Sequence, residues 1–414
     1  MKQFLIKYYF HFLLILIGLV AITLFDLLTQ MSSQGIIYPD STGYHESAKN
    51  LYLFFRGHNY RPILMAIITG FPYFFGSTDA FIYVYSFYVN LFCWLASSLF
   101  LFEILKQFVK PKFAFGFTVF SIFFIGNMAF VFHLLSENIY LFFILSAFYF
   151  LAKYYKEKLF WQLSVSLSIF ILSMLIRPGS KFLAIVFVLY FIKEIIKNYK
   201  HKFAWLLYGS LFLVLVQCAG LKYQFGNFTL SYIDSVTYYD YIGSKAMCFK
   251  EGKEYSQLDN PRGGYIYSHE CVMQREIANE DLKQQLQYNI LNLFKAYISD
   301  VLDNATSGNI CIEDCKNVKS RNHFQFWKTI LFEISKWQNI IFSVFGFCLA
   351  IFYFFKSYRK EKLYSFISFF IMYTILLSAI SCGQGDRFHV ITFPFVLLLL
   401  AKYMSDKMFV SKMT

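Results

Sequence analysis

The stretch IIYPDSTGYHESAKNLY, residues 36–52, places Asp40, His45 and Glu46 soon after a long apolar run. Tyr44, Ala48 and Tyr52 recur every four positions, the spacing of one helix face. A carboxylate at such a boundary can take a proton from an attacking hydroxyl, as a general base. It can equally cap a helix, accepting backbone N–H bonds at the N-terminus. Asp40 and Glu46 would not share a helix face, so they do not form an acid–base pair.

Four other short segments carry charge in places where chemistry is plausible. In FHLLSENIY, His133 and Glu137 are four residues apart and would share a face of a continuous helix. If Ser136 instead starts a new helix, Glu137 falls in its first turn, where the dipole favours an acid. Arg177 and Lys181 in LIRPGSK, Arg387 in GQGDRFHV and Arg61 in NYRPIL lie beside apolar segments. One such arginine could simply snorkel to lipid headgroups. Several cations on one face are suited to a phosphate, and a phosphate at membrane depth belongs most naturally to a lipid. The chain has no glycine-rich nucleotide loop and no nucleophilic-serine elbow.

The elements that position these residues follow from composition. The chain has 414 residues, 57% of them hydrophobic and only 15% charged, with 54 phenylalanines. One soluble core could not bury that much apolar surface, so the expected solvent is lipid. Apolar runs lie near 8–29, 80–105, 113–133, 137–153, 159–176, 181–195, 203–222, 338–355, 363–382 and 388–404. By hydropathy these are about ten spans, and the first reads as a retained anchor. Every second gap is lysine-rich: 106–112, 153–158, 193–202 and 356–362. The positive-inside rule puts these gaps and both termini in the cytoplasm. The net charge of +13 is thus a topology signal and needs no nucleic acid. The gaps holding Asp40, His133, Glu137, Arg177 and Arg387 then face outward.

The expected fold is an all-α polytopic membrane bundle with three parts. Residues 1–221 form a transmembrane catalytic module with a first outer loop at 30–79. Residues 222–328 form an extracytoplasmic insertion, and 329–414 the last spans. In the insertion, Leu282, Leu286, Ile290, Leu293, Tyr297 and Val301 mark one apolar helix stripe that lies on the membrane face or packs on the spans. It also holds four of the eight cysteines; Cys248–Cys271 and Cys311–Cys315 are the expected disulfides in an oxidising compartment. A metal site at Cys311 and Cys315 lacks a second Cys/His pair.

Five segments in order carry a family resemblance: YPDSTGYHESAKNLY, RPILMAIITGFPYFFG, LLSENIYLFFILSAFYFLAKYYK, LIRPGSKFLAIVFVL and GDRFHVITFPFVLLLLAKY. Together they resemble the GT-C integral-membrane glycosyltransferases, near the protein O-mannosyltransferase and lipid A aminoarabinose transferase branch. The resemblance covers most of the chain but not the insertion. It implies an inverting transfer from a polyprenyl-phosphate sugar to a glycolipid, glycan or protein. Asp40 would be the base, Arg177 and Arg387 the phosphate ligands, and Glu137 an acid near the catalytic face. Tyr44, Arg61, His133 and Lys181 complete the expected substrate-binding set. The family's first loop commonly has a second acid after the Asp; here it is Ser41, so no cofactor is demanded and a divalent metal is left open. The expected setting is the lipopolysaccharide-building inner membrane of a bacterium, with the site on the periplasmic side. An O-antigen ligase or polymerase would also have many spans and a large outer loop, but leaves the acidic first loop unexplained. A flippase needs polar residues through the membrane, whereas these crowd one rim.

Overall fold

The structure, a computed structural model, describes residues 2–32, 39–258, 260–315, 318–358 and 360–410. Residues 36–38 of the acidic stretch, and Lys412 of the basic tail, lie outside them. Among the described residues there is no strand, only an isolated antiparallel bridge between Met31 and Val318. The helices that matter for function are α1 (Lys2–Thr29), α2 (Pro39–Phe54), α3 (Ile63–Gly70), α4 (Asp79–Leu105), α5 (Pro111–Ile122), α6 (Ile125–Ala129), α7 (Glu137–Glu157) and α8 (Phe160–Ser173). They continue as α9 (Lys181–Tyr190), α10 (Ala204–Phe225), α11 (Cys271–Tyr288), α12 (Ile290–Thr306), α13 (Arg321–Ile340), α14 (Gly346–Ser357), α15 (Lys362–Ser378) and α16 (Phe393–Val410).

Among the described residues six stretches are long and apolar enough to cross a membrane: Tyr8–Thr29, Asp79–Leu105, Glu137–Glu157, Ala204–Phe225, Arg321–Ser357 and Gly385–Asp406. The chain is therefore an all-α, multi-pass membrane protein. Pro111–Ile122 and Ile125–Phe132 make a seventh crossing if that pair, bent by 60°, is one span. Three of the ten apolar runs give shorter helices, at Phe160–Ser173, Pro178–Tyr190 and Lys362–Ser378. One break has a clear cause. Arg177 is extended (φ −138°, ψ 105°) because Pro178 follows it, which ends the helical path between α8 and α9. A further short apolar helix, Ile63–Phe75, sits within the first loop.

An aromatic core holds the bundle together. The Phe148 ring of α7 meets Phe170 of α8, Phe187 of α9, Phe370 of α15 and Phe395 of α16, with centroids 5.0–5.9 Å apart. Leu16, Val20 and Leu24 of α1, and Phe212 and Leu215 of α10, stay exposed, as lipid-facing residues must. The lysine-rich gaps meet at one end of this bundle. Phe108 lies 5.2 Å from Tyr364, Tyr154 5.9 Å from Phe191, and Lys402 bonds Glu361 at 2.9 Å. Helix α13 continues through a π turn, Ile341–Phe345, into α14. The expected boundary at 328/329 therefore falls inside one continuous helix.

Candidate functional site

The charged residues singled out from the chain converge at the opposite end of the bundle. Asp40 lies in the first turn of α2, where an acid suits the helix dipole. Its partners, however, are side chains from far along the chain. Arg61 Nη2 donates to Asp40 Oδ1 at 2.9 Å, and Arg387 Nη1 donates to Asp40 Oδ2 at 2.5 Å. Arg387 Nε also donates to Glu137 Oε1, and Arg177 Nη2 lies 3.7 Å from the same oxygen. Cation–π contacts orient two guanidiniums: Arg61 lies 4.5 Å from the Tyr44 ring centroid and Arg177 4.4 Å from that of Phe388. Tyr44 Oη donates to Ser136 Oγ at 3.0 Å, tying α2 to the start of α7. Thus Ser136 precedes a new helix with Glu137 in its first turn, but its hydroxyl serves Tyr44 and caps no backbone N–H.

Local structure explains the reach of each arginine. Arg61 and Arg177 both precede proline (Pro62, Pro178), which favours extended backbone ahead of the next helical segment. Arg387 sits in a short 3₁₀ turn, Gly385–Arg387, that α12 braces from outside. Asn304 Nδ2 donates to the carbonyls of Ser378 (3.0 Å) and Ser381 (2.9 Å), and its Oδ1 accepts from the Gln384 N–H at 3.0 Å. Asn309 Nδ2 donates to the buried Asp386 Oδ1 at 2.8 Å. Gly385 has φ +53°, and a Cβ there would overlap the Gly308 carbonyl, so only glycine lets the turn approach α12's C-terminal loop.

Asp40, Tyr44, Arg61, Arg177, Lys181 and Arg387 line one cavity of about 860 Å³. Apolar side chains of α11, α12 and α15 (Leu286, Ile290, Phe294 and Leu377) line another part of it. Ile290 and Phe294 are more than half exposed, so this part of the cavity opens onto an apolar surface of the molecule. Lys181 pairs with Asp234 at 2.8 Å. Two expected site residues stand behind the wall. Glu137 is fully buried and is not on the cavity lining; it anchors Arg387 and Arg177 instead of meeting a ligand. His133 is also fully buried off the lining, where its carbonyl accepts from Asn90 Nδ2 at 2.8 Å.

The electrostatics of Asp40 are set by competition. Burial pushes its carboxyl up, but the Arg61 and Arg387 guanidiniums outweigh that and hold it well below the usual carboxylate range. The network of Arg61, Arg177 and Arg387 against Asp40 and Glu137 keeps one surplus positive charge. Asp314 on the cavity rim is exposed to solvent and outside this network. Arg61 Nε is buried without a hydrogen-bond partner among the described residues. A divalent metal does not fit here: both Asp40 oxygens already accept from guanidiniums, which would repel a dication. No group of three or more His, Cys, Asp or Glu among the described residues could hold a metal ion.

The two expected disulfides are not formed; all eight cysteines are thiols. Cys311 lies in the short helix Ile310–Glu313, and Cys315 follows just beyond its end. Cys248 is in the helix Ser244–Glu251, which packs on α12, whereas Cys271 opens α11 beside Asn59. Reading the chain missed the wall contributed by Ile233–Gly243, although its run of tyrosines (IDSVTYYDYIG) was a visible signal. It also missed Gln384, which donates no charge but accepts from Arg387 Nη1 at 3.2 Å.

No protein-family model, no curated protein and no solved structure matches this chain.

Proposed function

We propose that the protein is an inverting glycosyltransferase of the GT-C kind, moving a sugar from a polyprenyl-phosphate donor to an acceptor hydroxyl. The observation that carries this reading is the junction of Asp40 with Arg387, which bring the first loop and the last span together in a cavity with an exposed apolar side. A polyprenyl-phosphate sugar is a phosphodiester with one negative charge, the complement of the network's one surplus cation. A lipid pyrophosphate, as a ligase or polymerase would use, carries more charge than that network balances. The apolar part of the cavity suits the isoprenoid chain.

In this mechanism Asp40 Oδ takes the proton of the acceptor hydroxyl. The acceptor oxygen bonds to the anomeric carbon from the face opposite the phosphate. The bond between that carbon and the phosphate oxygen breaks, and its electron pair leaves with the phosphate. Arg387, Arg177 and Arg61 stabilise the growing charge. The same arginines give the step an order. While they neutralise Asp40 it is a weak base. A bound phosphate draws their hydrogen bonds away and makes Asp40 more basic when an anomeric carbon is in place. The reading carries a topology with it: ten crossings, counting the bent pair and three short helices, in a bacterial inner membrane, with both termini cytoplasmic and the cavity periplasmic.

The test uses membranes holding wild type, Asp40→Asn or Arg387→Ala, supplied with radiolabelled polyprenyl-phosphate sugars. Transfer into lipid, glycan or protein should fall by about 10²–10⁴-fold in Asp40→Asn, with donor binding kept. Arg387→Ala should weaken donor binding as well. Asp40→Asn at wild-type rate would remove the base assignment. Transfer only from pyrophosphate donors would move the enzyme to the ligase class.

A further inference from the structure

The tyrosine-rich wall of the cavity has no role in holding a phosphate or a lipid chain. We propose that it is a subsite for a neutral saccharide, so that the acceptor is a glycan; this rests on the transferase reading above. Tyr60, Tyr238 and Tyr241 line this wall together with Asp234 and Gln257. Tyr60 Oη donates to Gln274 Oε1 at 2.9 Å and Tyr238 Oη to Asp281 Oδ2 at 3.0 Å, which fixes both rings. Fixed aromatic rings offer electron-rich faces to the C–H faces of a pyranose.

The backbone beneath is unusual. Tyr238–Gly243 forms a π-helical turn. Such turns are rare and are frequent at functional sites. This one is pinned from several elements. Arg262 lies 4.0 Å from the Tyr239 ring centroid, Asn260 Nδ2 donates to Asp240 Oδ1 at 2.8 Å, and Gln285 Nε2 donates to the Gly243 carbonyl at 3.0 Å. Gly263 packs so close to Asp240 that a Cβ there would overlap its carboxyl. Contacts from this many elements hold the turn in one shape.

Charge and hydrogen bonding select the ligand class. Asp234 is paired with Lys181, so the two together are neutral, and the Asp234 side chain is still 45% exposed. Gln257 is exposed beside them. These groups can donate to and accept from sugar hydroxyls without demanding ligand charge. An extended peptide would want a strand edge to pair with, and the described residues contain no strand. Lys181, paired with Asp234 of this wall, lines the same cavity as Arg177 and Arg387, so a sugar on the wall shares that cavity with the proposed phosphate site.

The test measures binding, which needs no catalysis. Purified full-length protein in nanodiscs is examined by saturation-transfer NMR with neutral trisaccharides of glucose, galactose, mannose, N-acetylglucosamine and rhamnose, and with a serine- and threonine-rich peptide. At least one trisaccharide should show transfer. Tyr241→Ala should weaken it about tenfold while Tyr241→Phe retains it, as expected for ring stacking. Gln257→Ala, at an exposed position that leaves folding intact, should weaken it too. No transfer from any trisaccharide overturns the proposal. So does binding insensitive to both Tyr241→Ala and Gln257→Ala, or a peptide that binds in place of the sugars. Saccharide binding without sugar transfer from any lipid phosphate would remove the transferase reading and leave the subsite standing.

Discussion

At the scale of residues, the site is governed by who shares whom. Asp40 is held by two arginines, and one of these, Arg387, is also held by Glu137. With its pKa depressed, the Asp40 pairing adds stability above the ordinary aspartate value of about 3.9 and loses it only as pH falls through the lower folded value. Free enzyme should therefore show no Asp40 limb between pH 5 and 8. On the proposed mechanism the arginines turn to phosphate in the donor complex, and Asp40 then titrates higher. The acid limb of kcat, which reports the bound complex, should then lie at higher pH than that of kcat/KM. Coincident limbs would show that donor and base do not share their arginines. Glu137→Gln tests the anchor. Removing one partner of a buried ion pair costs about 3 kcal/mol. A lowered Tm is expected, with donor KM raised well beyond any change in kcat, because Arg387 and Arg177 lose their shared acceptor. Asp40 and Arg387 were legible because charge is scarce in so apolar a chain. Glu137 was legible as a residue but not in its role. Its first-turn position is local, whereas its burial behind Arg387 depends on a partner 250 positions away.

At the scale of elements, helix periodicity foretold the long spans and apolar spacing along α12, but it ran 282–301 together as one stripe where the helix breaks at Asn289, and it did not show what α12's polar face does. The apolar stripe was visible in the spacing of Leu293, Tyr297 and Val301. Asn304, in an Asn-Ala-Thr triplet that would be a glycosylation acceptor only in a eukaryotic secretory context, is 1% exposed and spends its amide on the loop that carries Arg387. Nothing local distinguishes these two fates, since both call for a polar residue near a helix end. Asn304→Ala leaves the Ser381 carbonyl and the Gln384 N–H unsatisfied in a buried site, while the Ser378 carbonyl keeps the Ser381 N–H, at a cost of about 2 kcal/mol or more. The variant should lose thermal stability and raise KM for the donor. Asn304→Asp, which keeps the bond from the Gln384 N–H, should recover part of the donor KM. Equal KM in all three proteins would mean that α12 supports the fold without positioning Arg387. The short α8, α9 and α15 and the π turn at 238–243 were beyond periodicity for a related reason. Continuous hydropathy does not report where a proline or a tertiary contact ends or rewinds a helix.

At the scale of the whole molecule, the alternation of lysine-rich and lysine-poor gaps becomes a geometric fact: the former meet at one end of the bundle and the cavity opens at the other. The chemistry depends on which end faces the cytoplasm. A polyprenyl-phosphate sugar is the donor needed where nucleotide sugars are absent, so the mechanism requires Asp40 on the far side from the cytoplasm. Single cysteines placed in a cysteine-free background can decide this. Lys110→Cys, Lys156→Cys and Lys200→Cys, all in the basic gaps, should resist a membrane-impermeant maleimide added to intact cells and react once the cells are opened. Lys253→Cys and Lys283→Cys, exposed on the insertion, should react from outside. The reverse pattern would set the cavity among cytoplasmic nucleotide sugars and defeat the case for a lipid-linked donor, whatever the geometry of Asp40. Labelling of the basic gaps from both sides would break the link between charge and orientation that the positive-inside rule supplies.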